Sequence, residues 1–394
     1  MRLTLVTETY YPQVNGVSRT LGYLVRHLID AGETVQLIHP DYGVGGSGQH
    51  CQLVRSVSLP FYKELHLPLP PFGDVTRGID AFRPDLVHIA TEATLGLSVL
   101  RHVRRRRVPV VSSFHTNFDQ YTDHYRVGWA KGTIWRYLRW FHNRTLETYV
   151  PSWTTIADLE ARGFERLVLW PRGVDATLFR PDRPGRIEVR RALGFAPEEV
   201  VIGYVSRIAA EKNVAYLTEA LERVAGDRPA VRFLFVGDGP ARGDLERRMG
   251  ARARFAGYRS GEDLADHYAA ADLFAFSSKT ETFGNVILEA MASGLPVVAL
   301  RAGGVADTVR PGVTGSLIEP DAPPARFAEA LITLVDDPDL RRRVAASARA
   351  FALEQSWGAI METLRRRYQR AVEETRPGAA RALVPRPSGR TEDL

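Results

Sequence analysis

Short apolar runs alternate along the whole chain with longer segments in which apolar residues recur at helical spacing. In the first half of the chain, the runs that predict buried strands are residues 3–6, 34–38, 86–89 and 108–112. In the second half they are residues 200–205, 232–236, 273–276, 296–300 and 316–318. The alternation predicts an α/β protein in which parallel sheets flanked by helices occur twice.

A linker rich in proline and charge, residues 178–185, separates the two alternations and is typical of a domain boundary. We therefore expect a first domain over residues 1–178 and a second over residues 187–356. We expect residues 357–376 to form a C-terminal helix that returns to the first domain, and residues 377–394 to be a disordered tail. The first helix is predicted over residues 18–31, ending at Gly32.

Length and composition agree with this division. A chain of 394 residues can form two cores, and its 44% apolar and 25% charged residues are typical of a globular protein. The single cysteine, Cys51, excludes an intrachain disulfide, and no apolar run reaches the roughly 18–20 residues that span a bilayer. Residues 1–7 have the pattern of a first strand rather than a secretion signal, so we expect a cytoplasmic protein.

The net charge is +6. A basic surface favours anionic partners such as phosphorylated substrates, anionic lipid or nucleic acid. The arginines are scattered among acidic residues, however, so a merely solvated surface is the somewhat favoured interpretation of the charge. Because the sequence has no recognised nucleic-acid-binding motif, we do not expect a nucleic-acid partner.

Two glutamates, Glu281 and Glu289, lie eight residues apart around a glycine that precedes a helix-forming run. A helix that starts near Gly284 or Asn285 would have free N–H groups at Phe283, Gly284 and Asn285, and such an N-terminus attracts phosphate. Glu281 could then reach a sugar hydroxyl and Glu289 a ribose. The structural alternative is that Glu281 stabilises the helix dipole and Glu289 is exposed.

A second pair, Arg207 and Lys212, lies in a loop that follows a predicted strand and leads into a helix. Open α/β sheets bind ligands at this position, and an arginine with a lysine can hold a diphosphate and stabilise it as it leaves. The alternative is an ion pair of Arg207 with Glu211 at the surface. A metal site is not predicted, because Asp337 and Asp339 have the pattern of a helix N-cap and the histidines lack zinc-ligand spacing.

Two candidates lie in the first half. Gly16, between the first strand and first helix, permits close approach of an anion to the backbone, although such turns commonly contain a glycine. His115 directly follows a predicted strand and could hydrogen-bond a sugar or acceptor hydroxyl; alternatively it satisfies a local carbonyl. A full Gly-x-Gly-x-x-Gly fingerprint is absent, which disfavours a dinucleotide-dependent dehydrogenase.

A helix is predicted over residues 128–149, with an apolar stripe flanked by tryptophans and basic side chains. The members that could contact a membrane or an acceptor are Trp129, Lys131, Trp135, Arg136 and Arg139. Tryptophans among cationic residues suit a membrane interface, and residues 101–107 add a second basic cluster. An ordinary packed helix with a solvated face is an equal interpretation.

The segment with the two glutamates resembles the retaining GT-B glycosyltransferases of family four, whose hallmark is Glu-x7-Glu. The resemblance continues through residues 290–299 and Gly303-Gly304-Val305, and includes Gly173-Val174-Asp175 and residues 236–240. It implies two facing Rossmann-like domains with a cleft between them, in which the second domain holds most of a nucleotide-sugar donor.

The resemblance also implies roles for individual residues. Arg207 and Lys212 match the family's diphosphate-binding pair, and Gly16 matches a loop that contacts the same diphosphate. His115 matches a histidine close to the transferred sugar. The base is expected near residues 257–259, which are Gly257, Tyr258 and Arg259.

The expected activity is transfer of a hexose without metal or other cofactor. The stretch 281–291 looks mannosyltransferase-like, so GDP-mannose is the first candidate donor and UDP-sugars are the next. Residues 115–118 and the helix after them resemble enzymes that glycosylate lipid or saccharide acceptors, which suggests a peripheral location on the inner face of a membrane. The alternatives are a GT-B epimerase or phosphorylase, or a sugar-nucleotide or membrane-binding protein without transfer activity.

Overall fold

The computed structural model describes residues 1–13, 15–43, 50–59, 62–115, 131–281 and 283–375. The strands of the first half are β1 Arg2–Val6, β2 Thr34–Pro40, β3 Cys51–Val54, β4 Ser56–Leu59, β5 Tyr62–Pro68, β6 Leu86–Ile89, β7 Val110–Ser113, β8 Thr148–Val150 and β9 Leu167–Leu169. Its helices are α1 Gly16–Asp30, α2 Gly73–Phe82, α3 Thr94–Arg106, α4 Lys131–His142 and α5 Trp153–Ala161.

The first half forms a parallel sheet of strand order β3-β2-β1-β6-β7-β8-β9, beside which β4 and β5 form an antiparallel pair. The order reverses direction between β1 and β6, so the loops after these two strands diverge and leave a crevice at the carboxyl edge of the sheet. This is where open α/β sheets bind ligands.

The second half contains the strands β10 Val201–Val205, β11 Arg232–Val236, β12 Ala253–Gly257, β13 Leu273–Phe276, β14 Val297–Leu300 and β15 Gly315–Ile318. They form a second parallel sheet of order β12-β11-β10-β13-β14-β15. The helices that follow the linker are α6 Gly185–Ala192, α7 Val214–Asp227, α8 Arg242–Met249, α9 Gly261–Ala270, α10 Asn285–Ala292, α11 Val305–Thr308, α12 Pro324–Asp336, α13 Pro338–Glu354 and α14 Trp357–Thr375.

The last helix, α14, packs on the sheet of the first half. Its buried residues Trp357, Met361 and Tyr368 share an apolar cluster with Leu3 and Leu5 of β1. The second sheet has its own, larger core, which spans residues 174–352. The chain thus crosses from the first sheet to the second and back again.

The sequence located most strands of the central sheets to within two residues, and an α/β fold with two parallel sheets is confirmed. The helix predicted over residues 128–149 is wrong at its end, because α4 stops at His142 and residues 148–150 form β8. Thr148, Tyr149 and Val150 are fully buried and pair beside β7, so tertiary burial overrides the helical spacing of the preceding residues. Residues 128–130 and the tail 377–394 lie outside the described residues.

The acidic segment before α13 behaves as the sequence predicts. Asp337 is the N-cap, and its Oδ1 accepts a hydrogen bond of 2.8 Å from the backbone N–H of Leu340. Across the part of the chain that the structure describes, no three His, Cys, Asp or Glu side chains are grouped as a metal site. Within the same residues, no helix has the length and apolar character needed to cross a membrane.

Candidate active site

The N-termini of α1 and α10 face each other across the cleft between the two sheets. Gly16 is the first residue of α1 and Asn285 the first of α10, and a Cβ built on Gly16 would lie 3.8 Å from Asn285 Nδ2. The cap of α10 is Gly284, in the left-handed region at φ 81°, which has no side chain to accept from the first-turn N–H groups. Two positive helix ends therefore converge on one place, which favours an anion.

The cap of α1 differs from that of α10. Asn15 Oδ1 accepts from the backbone N–H of Ser18 at 2.9 Å, and Ser18 Oγ lies 3.3 Å from the backbone N of Asn15. This reciprocal capping box holds the first turn of α1 in a fixed conformation. Gly16 is thus placed opposite α10 by a rigid turn.

One turn into each helix, Arg19 of α1 pairs with Glu289 of α10. Arg19 Nη2 lies 3.1 Å from Glu289 Oε1, and Tyr268 Oη donates to Glu289 Oε2 at 3.0 Å. Glu289 is buried, so the exposed alternative for this residue is wrong. Burial raises the pKa of Glu289, while Arg19 and the Tyr268 hydrogen bond oppose that rise.

Lys212 and Glu281 form a close ion pair, with 2.5 Å between Lys212 Nζ and Glu281 Oε1. The backbone of Lys212 is fixed through its carbonyl, which accepts from Ser277 Oγ at 2.9 Å. The carbonyl of Glu281 accepts from the N–H of Gly304 at 3.0 Å. A Cβ on Gly303 would lie 2.1 Å from that same carbonyl oxygen, so only glycine fits there. Both charged side chains are therefore held at the start of α10 by packed backbone.

Arg207, by contrast, forms an ion pair with Glu211 and is 59% exposed. The structure therefore places Lys212, but not Arg207, against Glu281. The loop that carries Arg207 packs on the backbone of Gly237 and Gly239. A Cβ on Gly237 would lie 2.0 Å from Ser206 O, and one on Gly239 would lie 2.3 Å from Ile208 O. This close backbone contact explains why the 236–240 segment has glycine at these two positions.

The residues expected near the base lie at the carboxyl end of β12, beside the Arg207 loop. The carbonyl of Gly257 accepts from the N–H of Gly237 at 2.8 Å, which ties the two loops together. Tyr258 is 66% exposed. Arg259 is engaged locally, because its Nη1 lies 3.0 Å from Asp263 Oδ2 and its Nε donates to Ala256 O.

His115 follows β7, and hydrogen bonds occupy both of its ring nitrogens. Nε2 lies 2.8 Å from Ser113 Oγ, and Nδ1 lies 2.9 Å from Arg172 Nη2. Burial and the neighbouring Arg172 charge lower the pKa of His115 well below its usual range, so the ring is neutral. A hydrogen bond to a sugar requires exchange of one of these partners.

The sequence did not predict two buried carboxyls at the carboxyl edge of the first sheet. Glu8 follows β1, and its Oε1 accepts from the N–H of Leu95 at 2.9 Å. Glu92 follows β6. Burial raises the pKa of Glu8 to about 7 and that of Glu92 to about 8, with Glu8 contributing to the latter. Each is an isolated acidic residue beside apolar runs, which is why no motif indicated them.

The helix proposed for a membrane or acceptor contact is only partly described. Trp129 lies outside the described residues, and the side chain of Lys131 is not described. Trp135 stacks on Phe114 with ring centroids 6.3 Å apart, as in an ordinary packed helix. Arg136 and Arg139 are exposed.

Two family models match the chain. Residues 14–178 match the model described as Glycosyltransferase Family 4, and residues 199–337 match that of Glycosyl transferases group 1. A GDP-mannose-dependent alpha-mannosyltransferase of Mycobacterium tuberculosis (strain CDC 1551 / Oshkosh) is 35% identical over 94% of this chain and 96% of its own. The sulfoquinovosyl transferase SQD2 of Arabidopsis thaliana is 32% identical over 92% of this chain and 72% of its own.

Solved structures agree with the fold. Anabaena Alr3699/HepE, crystallised with UDP and glucose, superposes with a TM-score of 0.73 at 22% identity, covering 94% of this chain and 99% of its own. A sucrose-phosphate synthase from Thermosynechococcus elongatus gives a TM-score of 0.75 at 22% identity, covering 94% and 98%. The fold is GT-B, and the chain belongs to glycosyltransferase family 4, the group 1 glycosyl transferases.

Proposed function

We propose that the chain is a retaining hexosyltransferase that takes mannose from GDP-mannose and transfers it to a lipid or saccharide acceptor. The observation that carries the proposal is the meeting of the α1 and α10 N-termini at Gly16 and Asn285, with the Lys212–Glu281 pair beside them. The GDP-mannose dependence of the M. tuberculosis relative supports this choice of donor.

The donor diphosphate would lie between the two helix N-termini. The uncapped start of α10 supplies backbone N–H donors, and Lys212 supplies a compact positive charge. Arg207 would leave its exposed pair with Glu211 to join them, at little cost because exposed ion pairs contribute little. These groups would stabilise the leaving diphosphate without a metal ion.

The sugar and nucleoside would lie on either side of the diphosphate. Glu281, which pairs with Lys212, would accept a hydrogen bond from a hexose hydroxyl. Glu289 would accept from the ribose once Arg19 shares or releases the Glu289 carboxylate. Gly257, Tyr258 and Arg259 would line the base pocket at the end of β12. The acceptor would attack from the face that the diphosphate leaves, which retains the configuration of the sugar.

We also propose that the protein works in the cytoplasm, peripherally on the inner face of a membrane. The support is the exposed arginine cluster at the end of α3, which consists of Arg101, Arg104, Arg105, Arg106 and Arg107. Exposed arginines near an anionic surface each contribute about 1 kcal/mol to binding. Co-sedimentation with anionic vesicles but not with neutral ones would support the proposal, and equal behaviour with both would contradict it.

A matched panel of GDP-mannose, GDP, UDP-glucose and UDP tests the donor. Tight ligands raise the melting temperature by mass action, so GDP-mannose should give the largest shift. It should also support transfer of the sugar to a lipid or saccharide acceptor. A larger shift and faster turnover with a UDP-sugar would overturn the choice of donor. Turnover with none of the donors, despite a folded protein, would overturn the transferase proposal.

A further inference from the structure

Ser113 lies between two buried imidazoles at the cleft end of β7. Its Oγ is 2.8 Å from His115 Nε2 and 3.0 Å from His88 Nε2. The outer nitrogen of each ring has a partner of its own: Arg172 Nη2 lies 2.9 Å from His115 Nδ1, and Tyr368 Oη lies 2.7 Å from His88 Nδ1. All five side chains are buried. This row of five hydrogen-bonded side chains connects β6, β7, the segment after β9 and the returning helix α14.

The arginine determines where the hydrogen on His115 lies. A guanidinium has donors and no acceptor, so His115 Nδ1 must accept from Arg172. A neutral ring then carries its hydrogen on Nε2, which donates to Ser113 Oγ. Burial lowers the pKa of Arg172 only to about 9, so the guanidinium is charged at neutral pH.

The arginine is itself fixed by its neighbour Trp170. Arg172 Nη1 donates to Trp170 O at 2.9 Å, and the guanidinium carbon lies 5.0 Å from the centre of the Trp170 ring. The indole also packs edge-on against His115, with ring centroids 5.7 Å apart. These contacts hold the guanidinium in the orientation that points Nη2 at His115.

On the far side of Ser113, the row of hydrogen bonds continues through His88 to α14. Tyr368 Oη lies 2.7 Å from His88 Nδ1, so a hydrogen bond joins this helix to the ring. The other ring nitrogen, His88 Nε2, lies 3.0 Å from Ser113 Oγ. Ser113 thus contacts both rings, and the returning C-terminal helix anchors the resting partner of His115 through His88.

We propose that Arg172 is a positioning residue that fixes His115 as a neutral hydrogen-bond donor through Nε2, with Ser113 as the resting acceptor that an oxygen of the bound hexose replaces. The replacement by hexose rests on the proposed function. Because the lone pair of His115 faces Arg172, the ring serves as a donor to the sugar and not as a base toward the acceptor.

The tautomer is directly measurable in the full-length protein. Histidine labelled with ¹⁵N in the ring gives separate nitrogen shifts for protonated and unprotonated positions, and the His115 signals are those lost in His115→Gln. At neutral pH we expect Nε2 of His115 to be protonated and Nδ1 unprotonated. A protonated Nδ1, alone or together with Nε2, overturns the proposal.

Arg172→Met removes the donor and keeps most of the side-chain volume. We expect the other His115 tautomer to become populated and kcat to fall at least about tenfold, by analogy with the large cost of a wrong histidine tautomer in other enzymes. Arg172→Lys should restore the tautomer and much of kcat. If Arg172→Met does not fold, the wild-type spectrum still decides.

Arg190→Met is the matched control, because Arg190 is an equally buried arginine whose partners lie in the second domain. It should lower the melting temperature and leave the His115 shifts unchanged. If the Arg190→Met control also lost the His115 tautomer with its hydrogen on Nε2, the effect of Arg172→Met would be merely structural, which would contradict the proposal. Absence of transfer with every donor would overturn the proposed function alone, since the spectrum is read without donor.

Discussion

Arg19 and Glu289, 270 residues apart in the sequence, form a 3.1 Å contact between α1 and α10, one turn into each helix. The pair links the two sheets at the place where the donor is proposed to bind. It also places a positive charge beside the buried Glu289 carboxylate. Without that charge, an ionised glutamate at this depth is energetically costly. The contact therefore connects domain arrangement with the charge state of the proposed ribose acceptor.

Arg19→Gln should weaken nucleotide binding more at low pH than at high pH. Arg19 lowers the pKa of Glu289 against the effect of burial, so its removal raises that pKa further and leaves less carboxylate to accept from a ribose. Calorimetric titration with GDP across pH measures the effect. Arg26→Gln, an exposed arginine on the same helix, is the control. A GDP affinity with unchanged pH dependence would remove Arg19 from this role.

Lys212→Ala and Glu281→Ala should each reduce transfer by at least about a hundredfold, since groups aimed at developing charge in an active site commonly contribute that much. Circular dichroism should show an intact fold in both variants. Arg326→Ala, which removes an exposed cation paired with Glu329 in the same domain, should leave turnover unchanged. Near-normal kcat in either site variant contradicts the assigned roles.

Arg207→Ala separates stability from function. The ion pair with Glu211 is exposed, so its loss should change the free energy of unfolding by less than about 1 kcal/mol. If Arg207 moves to the diphosphate, KM for the donor should nevertheless rise or kcat fall by roughly tenfold or more. Denaturant unfolding and steady-state kinetics on the same preparation measure both quantities. Unchanged kinetics would leave Arg207 as a surface residue only.

The local spacing of residue types predicts those structural features that depend on one short segment alone. Glu281 and Glu289 could be placed because eight residues around Gly284 fix the start of one helix, and β11 because its four consecutive apolar residues form one buried run. Arg19 and Arg172 could not be found, since their partners lie 270 and 57 residues away and an isolated arginine in an arginine-rich chain has no local signature. The position of Arg172 directly before Gly173-Val174-Asp175 was the available signal.

Glu92→Gln should stabilise the protein increasingly as pH rises. The pKa of Glu92 is raised from 4.5 to about 8 by burial, with Glu8 adding to the shift. Between these values the unfolded chain is ionised while the folded chain keeps its proton, so the wild type loses stability as pH rises toward 8. A neutral amide has no such loss, and the difference corresponds to a few kcal/mol at most. Denaturant unfolding of both proteins near pH 5 and pH 9 measures it. Equal pH dependence of the two proteins would mean that Glu92 ionises as readily in the folded as in the unfolded chain.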